Sequence, residues 1–377
     1  MKAGLYTHIP FCRSKCSYCA FYSVSGREND YRDSYLRALL QEADYFKKRY
    51  SPNRPIEINT WYVGGGTPSL LPVPFYAGLY RHLSDSMDFS RVREITLEAN
   101  PEHLTLAYLR DLYLYTPVRR LSIGVQSFRD EDLQRLNRHH SGKEALRAVE
   151  NARKAGFENI TVDLIYGLRD KEEASTWKEN LKTLQSLSLP HFSAYALTVE
   201  PNTVLFRKLA QGKIGIADEA LLEREYFLLQ EFASENGYEA YEISNYAKEG
   251  AYSVHNRNYW RNVPYIGLGA SAHSYMENER HWNVSDVRAY MKDAVEGKQF
   301  ERLTEQDSYH EYIMTALRTM WGVEKDKLEA FSPRLQSEFH QRAERQAQLG
   351  NLERKGDAWV IPSSRRLLTD GIAAEFF

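Results

Sequence analysis

A strand-like segment leads directly into three closely spaced cysteines in the stretch GLYTHIPFCRSKCSYC, residues 4–19. The spacing Cys12-x-x-x-Cys16-x-x-Cys19 supplies three thiolates from one loop. Three thiolates can hold three irons of a four-iron cluster, and the fourth iron then stays open to a small molecule. We therefore predict an oxygen-sensitive 4Fe-4S cluster on Cys12, Cys16 and Cys19.

Zinc is the alternative metal for these cysteines. All three lie within eight residues and the sequence has no other cysteine, so a disulfide scaffold does not fit a chain of this length. Structural zinc sites draw four ligands, usually from two separated pairs, and His8 would have to be the fourth ligand here. Because His8 belongs to the strand segment, the sequence favours the cluster.

The composition excludes several classes of protein. The 377 residues include 49 Lys and Arg against 51 Asp and Glu, without the basic excess of nucleic-acid binders. No apolar run approaches the roughly 20 residues of a membrane helix. After Met1 and Lys2 the sequence enters a strand without a charged-then-apolar leader. We predict a cytoplasmic protein with no membrane span and no nucleic-acid partner.

Short β-rich segments alternate with longer helical stretches through the first half of the chain, which is typical of βαβ units and a parallel sheet. The six candidate strands are residues 4–8, 58–63, 94–98, 121–125, 160–165 and 192–197. Six successive βα units favour barrel-like closure. We predict an α/β fold with a partial (β/α)6 barrel.

The second half of the chain has a different pattern. A helix near residues 218–236 precedes β-like segments at 241–246 and 265–274, which are suited to extend the sheet. Further helices, a short strand pair at 351–361 and a last helix at 369–377 indicate a mainly helical or winged-helix-like region. We predict three parts: the cluster-bearing barrel at 1–210, the sheet extension at 211–284 and the C-terminal region at 285–377.

Polar residues follow the predicted strands at their carboxyl ends. His8 leads to the cysteines and Val63 to a glycine-rich run, while Glu98, Gln126 and Asp163 stand at or near the ends of later strands. In parallel βα architectures these ends meet at one mouth. Ordinary strand-end chemistry explains any one of these residues, but the whole row predicts a shared ligand site.

The quoted stretch and four further motifs resemble radical S-adenosylmethionine proteins of the coproporphyrinogen dehydrogenase group. The motifs are GGGTPSLL at 64–71, EANPE at 98–102, SIGVQSF at 122–128 and DLIYGL at 163–168, and the resemblance covers most of the chain. It implies a radical-SAM barrel in which an electron from the cluster cleaves S-adenosylmethionine to methionine and a 5′-deoxyadenosyl radical. An electron donor is then required as a partner.

The resemblance also implies which residues line S-adenosylmethionine. They are Tyr6, Gly65, Glu98, Gln126, Arg138 and Asp163, with Gly66 and Thr67 presenting backbone close to the cofactor. Glycine lets backbone approach a ligand, and the carboxylates can accept hydrogen bonds from an amine or ribose hydroxyls. Arg138 is suited to meet a carboxylate, and its alternative role is a solvated charge at a helix end.

Two features resemble the heme chaperones of this group more than its dehydrogenases. Phe21 stands where the dehydrogenases have a fourth cysteine, and the chain lacks the N-terminal extension that they place over their substrate. The resemblance implies that heme is bound and passed to heme-acceptor proteins, with cluster and S-adenosylmethionine supporting or regulating transfer. Oxygen-independent coproporphyrinogen III dehydrogenase and a purely structural metal-binding module are the alternatives, so enzymatic activity stays open.

The segment HNRNYW at residues 255–260 resembles a His-Asn-x-x-Tyr-Trp motif associated with the heme chaperones. A neutral imidazole is a good axial ligand for heme iron, and Tyr259 and Trp260 can cover a porphyrin face. The alternative is a hydrogen bond from His255 within a turn and aromatics that pack the core. We predict a heme contact at His255, with His273 as a second candidate.

Overall fold

The computed structural model describes residues 1–171 and 175–377. The strands are β1 (Lys2–Ile9), β2 (Phe11–Cys12), β3 (Val24–Ser25), β4 (Ile56–Gly65), β5 (Met87–Asp88), β6 (Glu94–Ala99), β7 (Arg120–Gln126), β8 (Asn159–Tyr166), β9 (His191–Ala196), β10 (Glu239–Ala240), β11 (Asn245–Ala247), β12 (Tyr265–Leu268), β13 (His273–Met276), β14 (Glu279–Trp282), β15 (Gln299–Arg302), β16 (Val323–Glu324), β17 (Glu353–Lys355) and β18 (Ala358–Val360). The helices are α1 (Glu28–Tyr50), α2 (Val73–Ser86), α3 (Leu106–Tyr115), α4 (Asp130–Arg135), α5 (Gly142–Lys154), α6 (Trp177–Leu187), α7 (Val204–Ala210), α8 (Glu219–Glu235), α9 (Val254–Trp260), α10 (Val287–Lys292), α11 (Glu305–Leu317), α12 (Lys325–Leu328), α13 (Pro333–Gln348) and α14 (Thr369–Ala374).

One large sheet orders its strands β10-β11-β9-β8-β7-β6-β4-β1-β12-β13-β14-β15, with β5 beside β4. The six predicted strands are β1, β4, β6, β7, β8 and β9, and each pairs in parallel with the next. In the described residues β1 also pairs with β12 and β9 with β11, and no pairing joins β1 to β9. The predicted partial barrel with a β extension is therefore confirmed.

Helix α1 shows how the sequence pattern builds the layer outside the sheet. Its residues Tyr35, Leu39, Ala43 and Phe46 recur every three to four positions, and all four are buried. This spacing places them on one helical face, toward the core. Burying one large apolar side chain of this kind stabilises the fold by about 1.5–3 kcal/mol.

A second group of buried side chains forms the core of the C-terminal region. It includes Ile313 of α11, Phe339 of α13 and Trp359 of β18. A three-stranded sheet in the order β16-β18-β17 accompanies these helices, so the predicted helical region with a strand pair is confirmed. The large sheet continues to Arg302, and the division at residues 210 and 285 stays a prediction.

The parallel strands all end at one edge of the sheet, as the connection rules require. The cysteine loop follows β1, and the glycine-rich run closes β4. None of the described helices is both long enough and apolar enough to cross a membrane.

Candidate cofactor site

A cavity of about 540 Å³ opens at the carboxyl ends of the six parallel strands, and we call it the main cavity. The thiol-bearing residues Cys12, Cys16 and Cys19 all border it. Seven of the eight residues predicted to line S-adenosylmethionine also border it: Gly65, Gly66, Thr67, Glu98, Gln126, Arg138 and Asp163. The eighth, Tyr6, borders a different cavity. The structure thus brings together residues that lie far apart in the sequence.

The cysteine loop is fixed at several points. Cys12 ends β2, which pairs with β3, and the Cys19 amide donates to the carbonyl of Cys16 at 3.3 Å. Thr67 Oγ1 donates to the Cys12 Sγ at 3.7 Å. All three thiols are free, and burial raises the pKa of Cys12 and of Cys19. Binding iron would therefore have to release protons from these thiols.

Three thiols on the wall of one cavity fit the predicted cluster. Nowhere in residues 1–171 and 175–377 do three His, Cys, Asp or Glu side chains converge as the ligands of a single metal ion do. A cluster does not need that convergence, because each thiolate binds a different iron. The zinc alternative requires His8 as its fourth ligand. One ring nitrogen of His8, Nδ1, is engaged with the Tyr6 hydroxyl at 3.0 Å.

Glu98 stands at the end of β6 and is held by two donors. The Tyr62 hydroxyl donates to its Oε1 at 2.7 Å, and the Gly65 amide donates to its Oε2 at 3.0 Å. Burial raises the pKa of the Glu98 carboxyl to about 7. In its ionised form this carboxyl can accept hydrogen bonds from a ligand in the main cavity.

The glycine-rich run is packed so closely that side chains do not fit. A Cβ on Gly66 would lie 2.7 Å from the Phe11 carbonyl oxygen and 2.9 Å from the Cys12 Sγ. Gly65 has φ +114°, and a Cβ there would lie 2.6 Å from Cε1 of His8. The amides of Gly66 and Thr67 donate to the carbonyls of Ile9 and Phe11 at 2.8 and 2.7 Å. The run is therefore fastened to the chain that carries the cysteines.

Arg138 lies in the connection between α4 and α5 and points inward. Its Nη2 donates to Asn100 Oδ1 at 2.7 Å and to the Gly124 carbonyl at 2.6 Å. Its Nη1 donates to the Cys16 Sγ at 3.4 Å. The side chain is thus part of the cavity wall rather than a solvated charge at a helix end, and it offers a cation to a carboxylate.

Gln126 of β7 and Asp163 of β8 form another part of the main cavity wall. The pairing of β7 with β8 shifts register between Gly124 and Gln126, and Gln126 has φ +69°. Such bulges re-aim side chains beside ligand sites. Asp163 Oδ2 accepts from the Ser122 hydroxyl at 3.1 Å, and burial raises the pKa of the Asp163 carboxyl.

Sequence reasoning missed three residues of this site. Tyr62, Asn100 and Ser122 each form a hydrogen bond with a predicted cofactor residue. Asn100 lies inside the EANPE motif and Ser122 begins the SIGVQSF motif, so the motifs were the available signal for both. Tyr62 lies in strand β4 before the glycine-rich run, where no motif residue marks it.

Tyr6 and the two histidines predicted to contact heme lie elsewhere. Tyr6 and His273 border a cavity of about 270 Å³, which we call the aromatic cavity. Its lining residues are Tyr6, His8, Phe21, Tyr22, Tyr259, Tyr265, Ser271, Ala272 and His273. His255 is 2% exposed, its Nδ1 lies 2.8 Å from the Thr60 hydroxyl, and burial lowers its pKa to about 3. It is a neutral imidazole inside the protein.

Comparison with known proteins places this chain in a family. The sequence model of the Radical SAM superfamily matches residues 6–180. The heme chaperone HemW of Lactococcus lactis is 34% identical over 86% of this chain and 83% of its own. HemW of Bacillus subtilis is 35% identical, with 85% of both chains covered.

Among solved structures, coproporphyrinogen III oxidase (HemN) from Escherichia coli, described as a radical SAM enzyme, superposes with a TM-score of 0.83. The match covers 99% of this chain and 89% of the oxidase at 23% identity, a likeness that concerns the fold alone. The two HemW relatives match in sequence across most of both chains. The chain therefore belongs to the radical SAM superfamily and, within it, to the HemW family.

Proposed function

We propose that this protein is a heme chaperone that binds heme and transfers it to acceptor proteins. The observation that carries the proposal is the sequence match to two relatives named heme chaperone HemW, over at least 83% of each relative. The main cavity supports it, because three thiols, the Arg138 guanidinium and the carboxyls of Glu98 and Asp163 border one space there. The cytoplasmic location predicted from the sequence belongs to this proposal.

The cofactors follow from the superfamily, and their residues are part of the proposal. Cys12, Cys16 and Cys19 would hold the 4Fe-4S cluster, which when bound supplies the electron for cleavage of S-adenosylmethionine. Arg138 is suited to the carboxylate of S-adenosylmethionine, while Glu98 accepts from its amine or ribose hydroxyls. An electron donor and the heme-acceptor proteins are the partners that this function requires.

The dehydrogenase alternative has less support. The likeness to HemN is a likeness of fold at 23% identity. Phe21, where the dehydrogenases have a fourth cysteine, is 73% exposed and borders both the main and the aromatic cavity. It presents an apolar ring at the place where those enzymes offer a thiol.

One experiment tests the proposal against its alternatives. The full chain is reconstituted anaerobically with iron and sulfide in the presence of zinc, then titrated separately with S-adenosylmethionine, heme and coproporphyrinogen III. We expect four irons per chain and binding of S-adenosylmethionine and heme. Turnover of coproporphyrinogen without heme binding would favour the dehydrogenase. Uptake of one zinc and no iron would favour the structural module.

A further inference from the structure

The aromatic cavity lies beside the main cavity and has its own chemistry. It is bordered by β1, by the chain after the cysteine loop, by α9 and by strands β12 and β13. Phe21 borders both cavities, and the ring of His8 packs against Gly65 of the main cavity wall. A ligand in the aromatic cavity would therefore sit next to the cofactor site.

Two imidazoles border this cavity. His8 is 8% exposed, and its Nε2 has no hydrogen-bond partner among the residues that the structure describes. Its Nδ1 lies 3.0 Å from the Tyr6 hydroxyl, which fixes the ring. Burial lowers the pKa of His8 to about 4 and outweighs the opposing effect of the Tyr22 backbone, which forms no hydrogen bond with Nε2. Buried polar atoms normally have a hydrogen-bond partner, so this buried and neutral ring nitrogen is available to bind a ligand.

His273 is the second imidazole and has a different exposure. It begins strand β13 with an exposed side chain, and its ring stacks on Trp282 at 6.2 Å with an interplanar angle of 24°. Burial of one side lowers its pKa as well. A neutral imidazole held flat against an indole at a cavity rim is free to bind a metal from outside.

The remaining wall is made of aromatic rings. Tyr259 and Tyr265 meet edge to face, with centroids 4.6 Å apart and an interplanar angle of 87°. The ring of His255 meets that of Tyr259 edge to face, with centroids 4.8 Å apart. Rings of this kind pack well on flat conjugated ligands. The volume of about 270 Å³ is just below the roughly 300–1,000 Å³ of most small-molecule pockets, so a porphyrin would be enclosed only in part.

Resting on the proposed function, we propose that the aromatic cavity is the heme site and that His273 is the ligand of the heme iron. The tyrosines then cover the macrocycle, and the Nε2 of His8 supplies the polar contact at the inner end. His255, at 2% exposure, acts from behind as a positioning residue for Tyr259. An exposed iron-binding residue and a porphyrin that is only partly enclosed suit a protein that must release its heme.

The test uses the full chain, reconstituted anaerobically, and compares His273→Ala with His340→Ala. His340 is an exposed histidine on α13, bordering a separate cavity in the C-terminal region. We expect His273→Ala to shift the Soret band and weaken heme binding by at least about tenfold. Added imidazole should restore the wild-type spectrum, and His340→Ala should match wild type.

A second variant replaces the proposed iron ligand instead of removing it, so that the proposal can still be tested if the alanine variant is poorly folded. His273→Cys should bind heme with a spectrum shifted toward thiolate ligation, a change that a structural role for His273 would not produce. The inference is overturned if wild type binds heme and both His273 variants have its spectrum and affinity. If wild type itself binds no heme while HemW of Bacillus subtilis does, the proposed function fails instead.

Discussion

Arg138 donates through its Nη1 to the Sγ of Cys16 at 3.4 Å. The same guanidinium is anchored through Nη2 to Asn100 and to the Gly124 carbonyl, at the ends of two parallel strands. A fixed positive charge thus lies against one predicted iron ligand and also faces the main cavity. This places one side chain where it can act on both the cluster and the carboxylate of S-adenosylmethionine.

Removing this charge should change the reduction potential of the cluster. Reduction adds an electron, and an adjacent cation stabilises the more negative state. We predict that Arg138→Gln makes the potential more negative by on the order of tens of millivolts, with a smaller change in Arg138→Lys. Anaerobic redox titration followed by electron paramagnetic resonance measures this shift. Arg13→Gln is the matched control, since Arg13 is an exposed arginine of the cysteine loop; equal shifts in Arg13→Gln and Arg138→Gln would contradict the assignment.

The cluster ligands are tested by single replacements. Each of Cys12→Ala, Cys16→Ala and Cys19→Ala should lose the brown absorbance and most of the iron after anaerobic reconstitution, because each thiolate holds one iron. Iron and sulfide assays measure the content. Ser14→Ala, in the same loop, should keep wild-type content. A cysteine variant that retained four irons would show that its thiol is not a ligand.

The six parallel strands and most of the main cavity could be predicted because their signals are local. Each strand is a short apolar run. Glu98 stands near the end of one of these runs, and Asp163 is a charged residue within another. Parallel pairing then brings successive strand ends to one edge, whatever lies between them in sequence. Arg138 needed more than this rule, since it lies in a connection; the family resemblance supplied it.

The aromatic cavity could not be predicted in the same way. It exists because β12 pairs with β1, with Gly4 opposite Tyr265, although these segments lie at distant points of the chain. No local pattern specifies that partner. Tyr6 was expected beside S-adenosylmethionine, but it shares a strand face with His8, two residues on, and both border the aromatic cavity.

Binding of S-adenosylmethionine should depend on the ionisation of Glu98. Because the pKa of this carboxyl is raised to about 7, the ionised acceptor forms as pH rises through that value. We predict that affinity increases between about pH 6 and pH 8 in wild type and that Glu98→Gln is weaker, with a flatter pH dependence. Equilibrium titration of the reconstituted protein measures both.

The control for this experiment is iron content, which should stay near wild type in Glu98→Gln because the residue contacts no cysteine. Gly65→Ala should also weaken binding, since the added Cβ meets the ring of His8 at a backbone φ of +114°. Unchanged affinity in both variants would remove the two residues from the cofactor site.

Coproporphyrinogen III should not be decarboxylated by this protein at a useful rate. Phe21 replaces the fourth cysteine of the dehydrogenases with an exposed apolar ring. The assay combines the reconstituted protein, S-adenosylmethionine and a reductant under anaerobic conditions, with HemN from Escherichia coli as the positive control. Multiple turnovers to protoporphyrinogen would refute this prediction and restore the dehydrogenase alternative.

His255 should be important for stability and should affect heme indirectly. Its ring lies between Tyr62, stacked at 5.1 Å, and Tyr259, and its amide donates to the Glu94 carboxylate at 3.0 Å. Removing the ring leaves a cavity, and Thr60 Oγ1 keeps only its longer hydrogen bonds with Asn59 and Asn258, at 3.3 and 3.4 Å. We predict that His255→Ala lowers the free energy of unfolding by about 2–4 kcal/mol.

The pH dependence of stability provides an independent check on this role. The pKa of His255 is lowered to about 3 in the folded chain, whereas an unfolded histidine has a pKa of about 6.5. The unfolded state therefore binds more protons between these values, and the stability contributed by neutral His255 is lost as pH falls from about 6.5 toward 3. Acid unfolding of His255→Ala, followed by circular dichroism, should show a shallower loss over this range than wild type.

Heme titration then shows which of His255 and His273 binds the heme iron. If His255 positions Tyr259 without binding iron, His255→Ala should weaken heme binding while the Soret band keeps its histidine-ligated form. His273→Ala should lose that form. The reverse result, with the histidine signature lost in His255→Ala and kept in His273→Ala, would make His255 the ligand. Because His255 is enclosed by Tyr62 and Tyr259, such a result would also require α9 to open before heme binds.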